Sequence, residues 1–216
     1  MEKLTNDGLK KVAGEFAHKM STHRIDEIVG ASDGKHVGTY LEHAFKDYLQ
    51  KYFYSANWGN SAKGVDLPDI NTDIKFTSIR QPQSSLPFKD ASQKIFGLGY
   101  NLIVFVYEKD DAKENNLTFS SVDFIDKSAT ADYTTTKVLR QTIKVGGNDD
   151  DLYATLIDRN LPGDDITYNN IIKNIRKNGV EQGYISISNA LQWRASYKRV
   201  IEVAGTVKGV DKLYGE

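Results

Sequence analysis

The sequence contains no cysteine, and its few histidines form no metal-binding pattern. The absence of cysteine excludes disulfides, thiolate metal sites and thiol nucleophiles, and it predicts a reducing, cytoplasmic setting. The histidines are His18, His23, His36 and His43, and neither neighbouring pair has the i, i+4 spacing of a helical zinc site. We therefore assign them no catalytic role.

Long apolar runs and an excess of charge of one sign are also missing. The longest apolar run, 102–107, is strand-sized and far shorter than the ~20 residues of a membrane-spanning helix. The N-terminal residues lack the apolar centre of a secretory signal. With 28 Lys+Arg against 29 Asp+Glu, the formal charge is -1. A nucleic-acid partner would therefore have to meet a local basic patch.

The hydrophobic pattern predicts a single mixed α/β or α+β domain over residues 1–216. Apolar residues recur at helical spacing over 37–53, and Glu42 falls on the border of that apolar face, leaning toward the protein body. The remaining elements are predicted as strands at 64–67, 72–77, 101–107 and 117–123, a loop at 84–88 and a short helix at 90–98. The strand at 101–107 is dense in apolar and β-branched residues, which predicts a central strand buried on both faces.

Two aspartates and a lysine cluster around the predicted strand at 72–77. Asp73 and Lys75 stand two residues apart and so share one face of that strand. A turn at Pro68 can bring Asp66 beside Asp73. Two adjacent carboxylates repel each other unless a cation lies between them, and oxygen ligands of this kind suit Mg²⁺. A lysine beside such an ion can orient a water and help deprotonate it, so the segment is suited to phosphodiester hydrolysis.

These residues resemble the PD-(D/E)xK nuclease superfamily, in the branch that holds the mismatch-repair nicking endonuclease and several type II restriction endonucleases. The resemblance covers about a third of the chain, residues 35–107. It implies a mixed sheet flanked by helices, a restriction-endonuclease-like core. It also implies Asp66 and Asp73 as metal ligands, Lys75 as the catalytic lysine, and Glu42 as a supporting acid at the metal. The implied reaction is Mg²⁺-dependent cleavage of DNA to 5′-phosphate and 3′-hydroxyl ends.

The motif departs from the superfamily pattern at two points. The acid before x-Lys is Asp73 rather than the commoner Glu, and Asp69 competes with Asp66 for the first metal position. We favour Asp66, because Asp69 sits in the turn, where an Asx-type bond to its own backbone is expected. A second acid-x-Lys copy, Asp111 to Lys113, lies in a polar tract and is expected to be a solvated loop. The alternative for the first copy is a surface hairpin whose charges face water.

Polar residues that follow the motif strand are candidates for DNA contact. Arg, Gln and Ser side chains contact phosphates and base edges. The candidates are Ser78, Arg80, Gln81, Gln83 and Ser84, followed by Lys89 and Lys94. An ordinary polar loop and ordinary surface lysines are the alternatives.

After Thr167 the charge balance becomes basic, with eight Lys and Arg against four acidic residues. A helix is predicted from Ser188 or Asn189, with Leu191, Tyr197 and Ile201 facing the core and Arg194, Lys198 and Arg199 exposed. Such a helix can enter the major groove or can be a solvated face. We accordingly divide the domain into a catalytic core at 1–165 and a basic element at 166–216 that is positioned to contact DNA.

The sequence therefore predicts a Mg²⁺-dependent, sequence-specific double-stranded DNA endonuclease, a type II restriction enzyme. Three alternatives stay open: a repair-type nicking endonuclease, an inactive DNA-binding module and an α/β domain unrelated to nucleic acid. A palindromic target would favour a two-fold homodimer, whereas a monomer would suit nicking or an asymmetric site. The sequence implies no membrane and no protein partner.

Overall fold

In the computed structural model of the protein, residues 1–58, 64–87, 89–188 and 193–215 are described. The helices are α1 (Asn6–Met20), α2 (Gly34–Leu49), α3 (Gln93–Phe96), α4 (Tyr133–Lys144), α5 (Asp149–Asp158), α6 (Asp165–Asn178) and α7 (Lys198–Val203). The strands are β1 (Glu2–Lys3), β2 (Phe53–Tyr54), β3 (Thr72–Ser78), β4 (Gln83–Leu86), β5 (Asn101–Lys109), β6 (Leu117–Ile125), β7 (Ser186–Ile187), β8 (Trp193–Ser196) and β9 (Val210–Tyr214). None of the described helices has the length and apolar character needed to cross a membrane.

The chain divides into two compact units. The first unit comprises Met1–Pro82, Tyr100–Ile125 and Val203–Glu216, and the second comprises Gln83–Gly99 and Asp126–Glu202. The stretch 166–216 is therefore shared between the two units. The boundary that we predicted between residues 165 and 166 does not coincide with a boundary between these units. Whether this stretch contacts DNA stays a prediction.

A mixed four-stranded sheet in the order β3-β5-β6-β9 forms the centre of the first unit. Strand β3 runs parallel to β5, while β5–β6 and β6–β9 are antiparallel pairs. The residues of β5 from Leu102 to Val106 are fully buried, which confirms the predicted central strand. The mixed sheet and its packed helices confirm the predicted α/β fold class, consistent with a restriction-endonuclease-like core.

Helices α1 and α2 cover this sheet through an aromatic core. Phe45 of α2 lies with its ring centroid 4.8 Å from that of Phe105, and Phe76 of β3 stacks on Phe105 at 4.5 Å. Phe16 of α1 lies 5.9 Å from the same ring. Burial of several large aromatic side chains in one cluster fixes α2 against β3, the strand that carries the acid-x-Lys motif.

Helix α2 confirms the helix predicted at 37–53 but ends four residues earlier, at Leu49. It begins at the N-cap Asp33, whose carboxylate accepts a hydrogen bond from Lys35 N at 2.9 Å. Phe53 instead enters β2, which pairs in parallel with β1. The helical spacing of the apolar residues continues past Leu49, and strand pairing overrides it.

The second unit contains a three-stranded sheet in the order β4-β8-β7 and the helices α3 to α6. The predicted loop at 84–88 was wrong for 84–86, because these residues pair antiparallel with β8 as part of β4. Residue 88 lies outside the described residues. The predicted helix at 90–98 forms only its centre, α3, and ends at Gly97, which has a φ of 89°.

The helix predicted from Ser188 or Asn189 was also wrong. Residues 193–196 form β8, in which buried Trp193 and Ala195 alternate with the outward-facing Arg194, a period of two that fits a strand. Only 198–203 are helical, as α7. Tyr197 is buried as expected, whereas Ile201 is partly exposed. Asn189 and Leu191 lie outside the described residues.

Candidate functional site

The acid-x-Lys motif lies on β3, and a tight turn places Asp66 against it. Residues 68–70 form one turn of 3₁₀-helix, and Asn71 follows with a φ of 48°, so that Leu67 pairs with Thr72. The backbone N–H of Asp66 donates to Asp73 Oδ1 at 3.3 Å, and Ile74 N–H donates to Asp66 Oδ2 at 3.0 Å. The turn therefore brings the two carboxylates side by side in a buried position, as the sequence predicted.

Two lysines flank this carboxylate pair. Lys75 Nζ lies 2.5 Å from Asp73 Oδ2. On the other side, Lys46 Nζ lies 3.1 Å from Asp66 Oδ1 and 2.8 Å from Glu42 Oε1. The five side chains thus form one contiguous cluster from Glu42 to Lys75, in which the Asp66 and Asp73 carboxyl groups lie between the two lysines. Sequence reasoning missed Lys46, although its position four residues after Glu42 on α2 is a spacing that places both side chains on one helix face.

The two aspartates have different acidities. Burial raises the pKa of Asp73 to about 6, with the neighbouring Asp66 carboxylate adding to the effect and Lys75 opposing it. Burial alone would also raise the pKa of Asp66. Hydrogen bonds from the Asp73 carboxyl and from Ile74 N–H, together with the charge of Lys46, outweigh burial and lower it. Two adjacent carboxyl groups that share a proton are a site at which a cation can replace that proton.

Both lysines retain their charge in this setting. Burial by itself would lower the pKa of Lys75, but the carboxylate of Asp73 outweighs burial and raises it. The same balance holds at Lys46, whose pKa is raised by Glu42 and Asp66 against the effect of burial. Lys75 is therefore an ammonium group, which can donate hydrogen bonds and stabilise negative charge.

The donor set fits Mg²⁺ at Asp66 and Asp73. Magnesium binds through one or two protein carboxylates and keeps several waters. Within the described residues no group of three or more His, Cys, Asp or Glu side chains is arranged to hold a metal. Glu42 faces Lys46 in this structure, so its place at a metal stays a prediction.

The competing acid, Asp69, is held elsewhere. Its Oδ2 accepts hydrogen bonds from Ser55 Oγ at 2.9 Å and Ala56 N at 2.7 Å. The expected Asx-type bond to its own turn is thus replaced by bonds to residues 55 and 56, which lower the pKa of Asp69. Asp69 is exposed, whereas Asp66 is buried beside Asp73.

The second acid-x-Lys copy lies in a polar turn between β5 and β6. Asp111 pairs with Lys109 at 2.6 Å and accepts from Gly30 N at 2.9 Å. Lys113 is exposed and lies 3.4 Å from Glu108. No strand carries this copy, in agreement with the expected solvated loop.

The predicted DNA contacts of the first unit lie at the end of β3 and in the turn that follows it. Ser78 and Arg80 line a pocket of about 440 Å³ together with the carboxylates Asp33, Asp110 and Asp111. Gln81 is exposed in the following turn. Lys109 also lines this pocket, and the three carboxylates outnumber the two cations, which opposes the approach of a phosphate.

The other predicted contacts belong to the second unit. Gln83, Lys94 and Arg194 line one pocket there, with Arg159, which sequence reasoning missed. Ser84 Oγ lies 2.6 Å from the hydroxyl of Tyr197, while Lys89 and Lys198 are exposed and Arg199 stacks 4.0 Å from the ring centre of Tyr133. The alternative that Lys94 is an ordinary surface lysine was wrong, since only 3% of it is exposed.

Comparison with known proteins places this chain in a family. A family model described as type II restriction enzyme NspV matches residues 3–212. A type II restriction enzyme NspV from Nostoc sp. (strain ATCC 29411 / PCC 7524) is 46% identical over 214 residues, which cover 98% of this chain and 97% of that protein. No solved structure matches the chain. The chain belongs to the NspV family of type II restriction enzymes.

Proposed function

We propose that this protein is a Mg²⁺-dependent endonuclease that cuts both strands of a specific DNA sequence, with a PD-(D/E)xK active site at Asp66, Asp73 and Lys75. The observation that carries the proposal is the buried carboxylate pair with Lys75 Nζ 2.5 Å from Asp73. Membership of the NspV family supports a site-specific deoxyribonuclease. A cytoplasmic location, where foreign DNA would be met, accords with the absence of cysteine.

Asp66 and Asp73 would hold the metal ion. Type II restriction enzymes generally use divalent metal ions. A Mg²⁺ ion held by this carboxylate pair would offset negative charge on the scissile phosphate and make the attacking water easier to deprotonate.

Lys75 acts on the water and on the phosphate. Its ammonium donates hydrogen bonds that orient the attacking water in line with the P–O3′ bond and stabilise the charge that develops on the phosphate oxygens. Attack at phosphorus forms the new P–O bond, the P–O3′ bond breaks, and a proton passes to the leaving oxygen. The products are a 5′-phosphate and a 3′-hydroxyl.

Lys46 and Glu42 position the first ligand. Lys46 donates to both Glu42 and Asp66, so it fixes the Asp66 carboxylate and offsets its charge. A rigid support of this kind keeps a metal ligand within the narrow geometry that the reaction needs. Glu42 is the supporting acid of the superfamily pattern, and here it supports the site by anchoring Lys46.

Incubation with unmethylated genomic DNA in Mg²⁺, with EDTA as the control, tests the proposal. We expect a discrete fragment pattern in Mg²⁺ alone, with ends that a DNA ligase rejoins and that sequencing places at one recognition sequence on both strands. Cuts confined to one strand would favour the nicking alternative. Intact DNA in Mg²⁺ and in Mn²⁺ would contradict the proposal.

A further inference from the structure

A polar pocket lies wholly within the second unit. It has a volume of about 440 Å³, and its lining includes three cationic side chains, Lys94, Arg159 and Arg194. Among the described lining residues Asp132 is the one carboxylate. The other polar groups are hydroxyls and an amide: Gln83, Thr134, Thr135, Ser186, Ser188 and Ser196. The lining therefore carries two more positive than negative charges in a protein whose net charge is -1.

Asp132 is already engaged in holding the unit together. Its Oδ2 accepts from Thr135 N at 2.9 Å and from Thr135 Oγ1 at 2.7 Å, and its Oδ1 accepts from Ile187 N at 2.7 Å. The first of these bonds is the N-cap of α4, and the last ties that helix to β7. Asp132 is thus a structural acid whose oxygens are directed to the protein's own donors.

Lys94 is buried at the pocket, with 3% of it exposed. Its Nζ lies 5.9 Å from the ring centre of Trp193 on β8. Burial lowers the pKa of Lys94 and the charge of Arg159 lowers it further, while Asp132 opposes both. Burial of an ammonium group beside an arginine is unfavourable, and an anion that enters the pocket would offset this cost.

We propose that this pocket binds a backbone phosphate of the DNA. The proposal rests on the endonuclease function proposed above and adds a site for its substrate. Arg159 and Arg194 offer the planar donor groups that match phosphate oxygens, and Lys94 adds a point charge. Neutral hydroxyl donors next to arginines are typical of contacts to the DNA backbone.

The convergence of separate segments supports this assignment. Gln83 comes from β4, Lys94 from α3, Arg194 from β8 and Arg159 from the end of α5. Three of these four were predicted from sequence as individual DNA contacts, at positions far apart in the chain. The fold of the second unit places them around one cavity.

Binding to a duplex, measured without cleavage, tests the proposal. We measure the affinity for a labelled duplex by fluorescence anisotropy, in EDTA and over a series of salt concentrations. The proteins compared are wild type, Arg194→Gln, Arg159→Gln and the control Lys137→Gln. Lys137 is an exposed cation of the same unit that does not line this pocket. For each pocket variant we expect affinity lower by about tenfold and a salt slope smaller by about one, because one phosphate contact is lost. The control should stay within about twofold of wild type.

The outcomes separate this inference from the proposed function. If wild type binds and cuts DNA while the pocket variants match Lys137→Gln, the phosphate site is wrong and the endonuclease stands. If wild type neither binds nor cuts DNA, both are wrong.

A second experiment adds inorganic phosphate and records the thermal unfolding of each protein. Phosphate could stabilise wild type but not Arg159→Gln while both pocket variants bind the duplex as wild type does. That result would show a site for free phosphate and overturn the assignment to a DNA phosphate. Circular dichroism and melting confirm that each variant is folded, and the exposed Arg194 provides a substitution that does not disturb the core.

Discussion

Lys46 Nζ lies 3.1 Å from Oδ1 of Asp66, a carboxylate that is almost fully buried. The lysine comes from α2 and the aspartate precedes β3, so this ion pair joins the helix to the strand that carries the acid-x-Lys motif. It also gives Asp66 a fixed cationic partner in addition to any metal ion.

Removal of this cation should destabilise the fold. In Lys46→Met, Glu42 and Asp66 lose their shared partner, and the free energy of unfolding should fall by about 3 kcal/mol, the cost of leaving a buried charge without its pair. Lys113→Met is the matched control, because it breaks the exposed pair with Glu108 and should cost less than about 1 kcal/mol. Urea unfolding measures both. Equal losses in the two variants would mean that Lys46 contributes no more than a surface lysine.

The choice between Asp66 and Asp69 as the first metal ligand has a direct kinetic consequence. Asp66→Asn should lower the single-turnover cleavage rate by at least about a hundredfold, the scale for loss of one group that stabilises the transition state. Asp69→Asn should have little effect, because Asp69 faces Ser55 and Ala56. Rates in the reverse order would make Asp69 the ligand.

The burial of Asp123 leads us to expect that the stability of the protein depends on pH, independently of catalysis. Asp123 lies on β6, fully buried, where its Oδ2 accepts from Ser121 Oγ at 2.9 Å. Burial raises the pKa of Asp123 to about 6, with Ser121 and Lys212 opposing the effect. The folded state therefore holds the proton more tightly than the unfolded state, and this residue's contribution to stability falls as pH rises from about 4 to 6.

Replacement of this carboxylate should stabilise the protein at neutral pH. Asp123→Asn should raise the free energy of unfolding at pH 7.5 by about 1–3 kcal/mol, the equivalent of up to about two pKa units. At pH 4 most of this gain should vanish, because Asp123 is protonated in the folded state and about half protonated in the unfolded state. Urea titrations at the two pH values measure the difference. A gain that is the same at both pH values would contradict the raised pKa.

The sequence was most informative where local pattern and chemistry coincide. The largely apolar strand β5 and the turn that brings Asp66 to Asp73 could be predicted from local residue patterns and turn-forming residues. Lys46 could be found only through its i, i+4 relation to Glu42, since its bond to Asp66 is a tertiary contact that no local pattern records.

The secondary-structure predictions were wrong where pairing between distant strands determines the structure. Residues 84–86 belong to a segment that was predicted as a loop because two prolines bracket it, yet they pair with 193–195, more than a hundred residues away. The same pairing turns the predicted basic helix into β8. Distant pairing is invisible to a single window of sequence, and it also creates the pocket that holds Lys94, Arg159 and Arg194.

Comparison of the two acid-x-Lys copies tests the central claim most directly. Single-turnover cleavage in Mg²⁺ is measured for wild type, Lys75→Ala and Lys113→Ala, with duplex affinity determined separately in EDTA. In Lys75→Ala the cleavage rate should fall by about a hundredfold to a thousandfold, because the ammonium acts on the reacting groups. The affinity of this variant for the duplex should stay within about threefold of wild type. Lys113→Ala should cut DNA like wild type. Cleavage by Lys75→Ala at the wild-type rate would contradict the assignment of the active site to Asp66, Asp73 and Lys75.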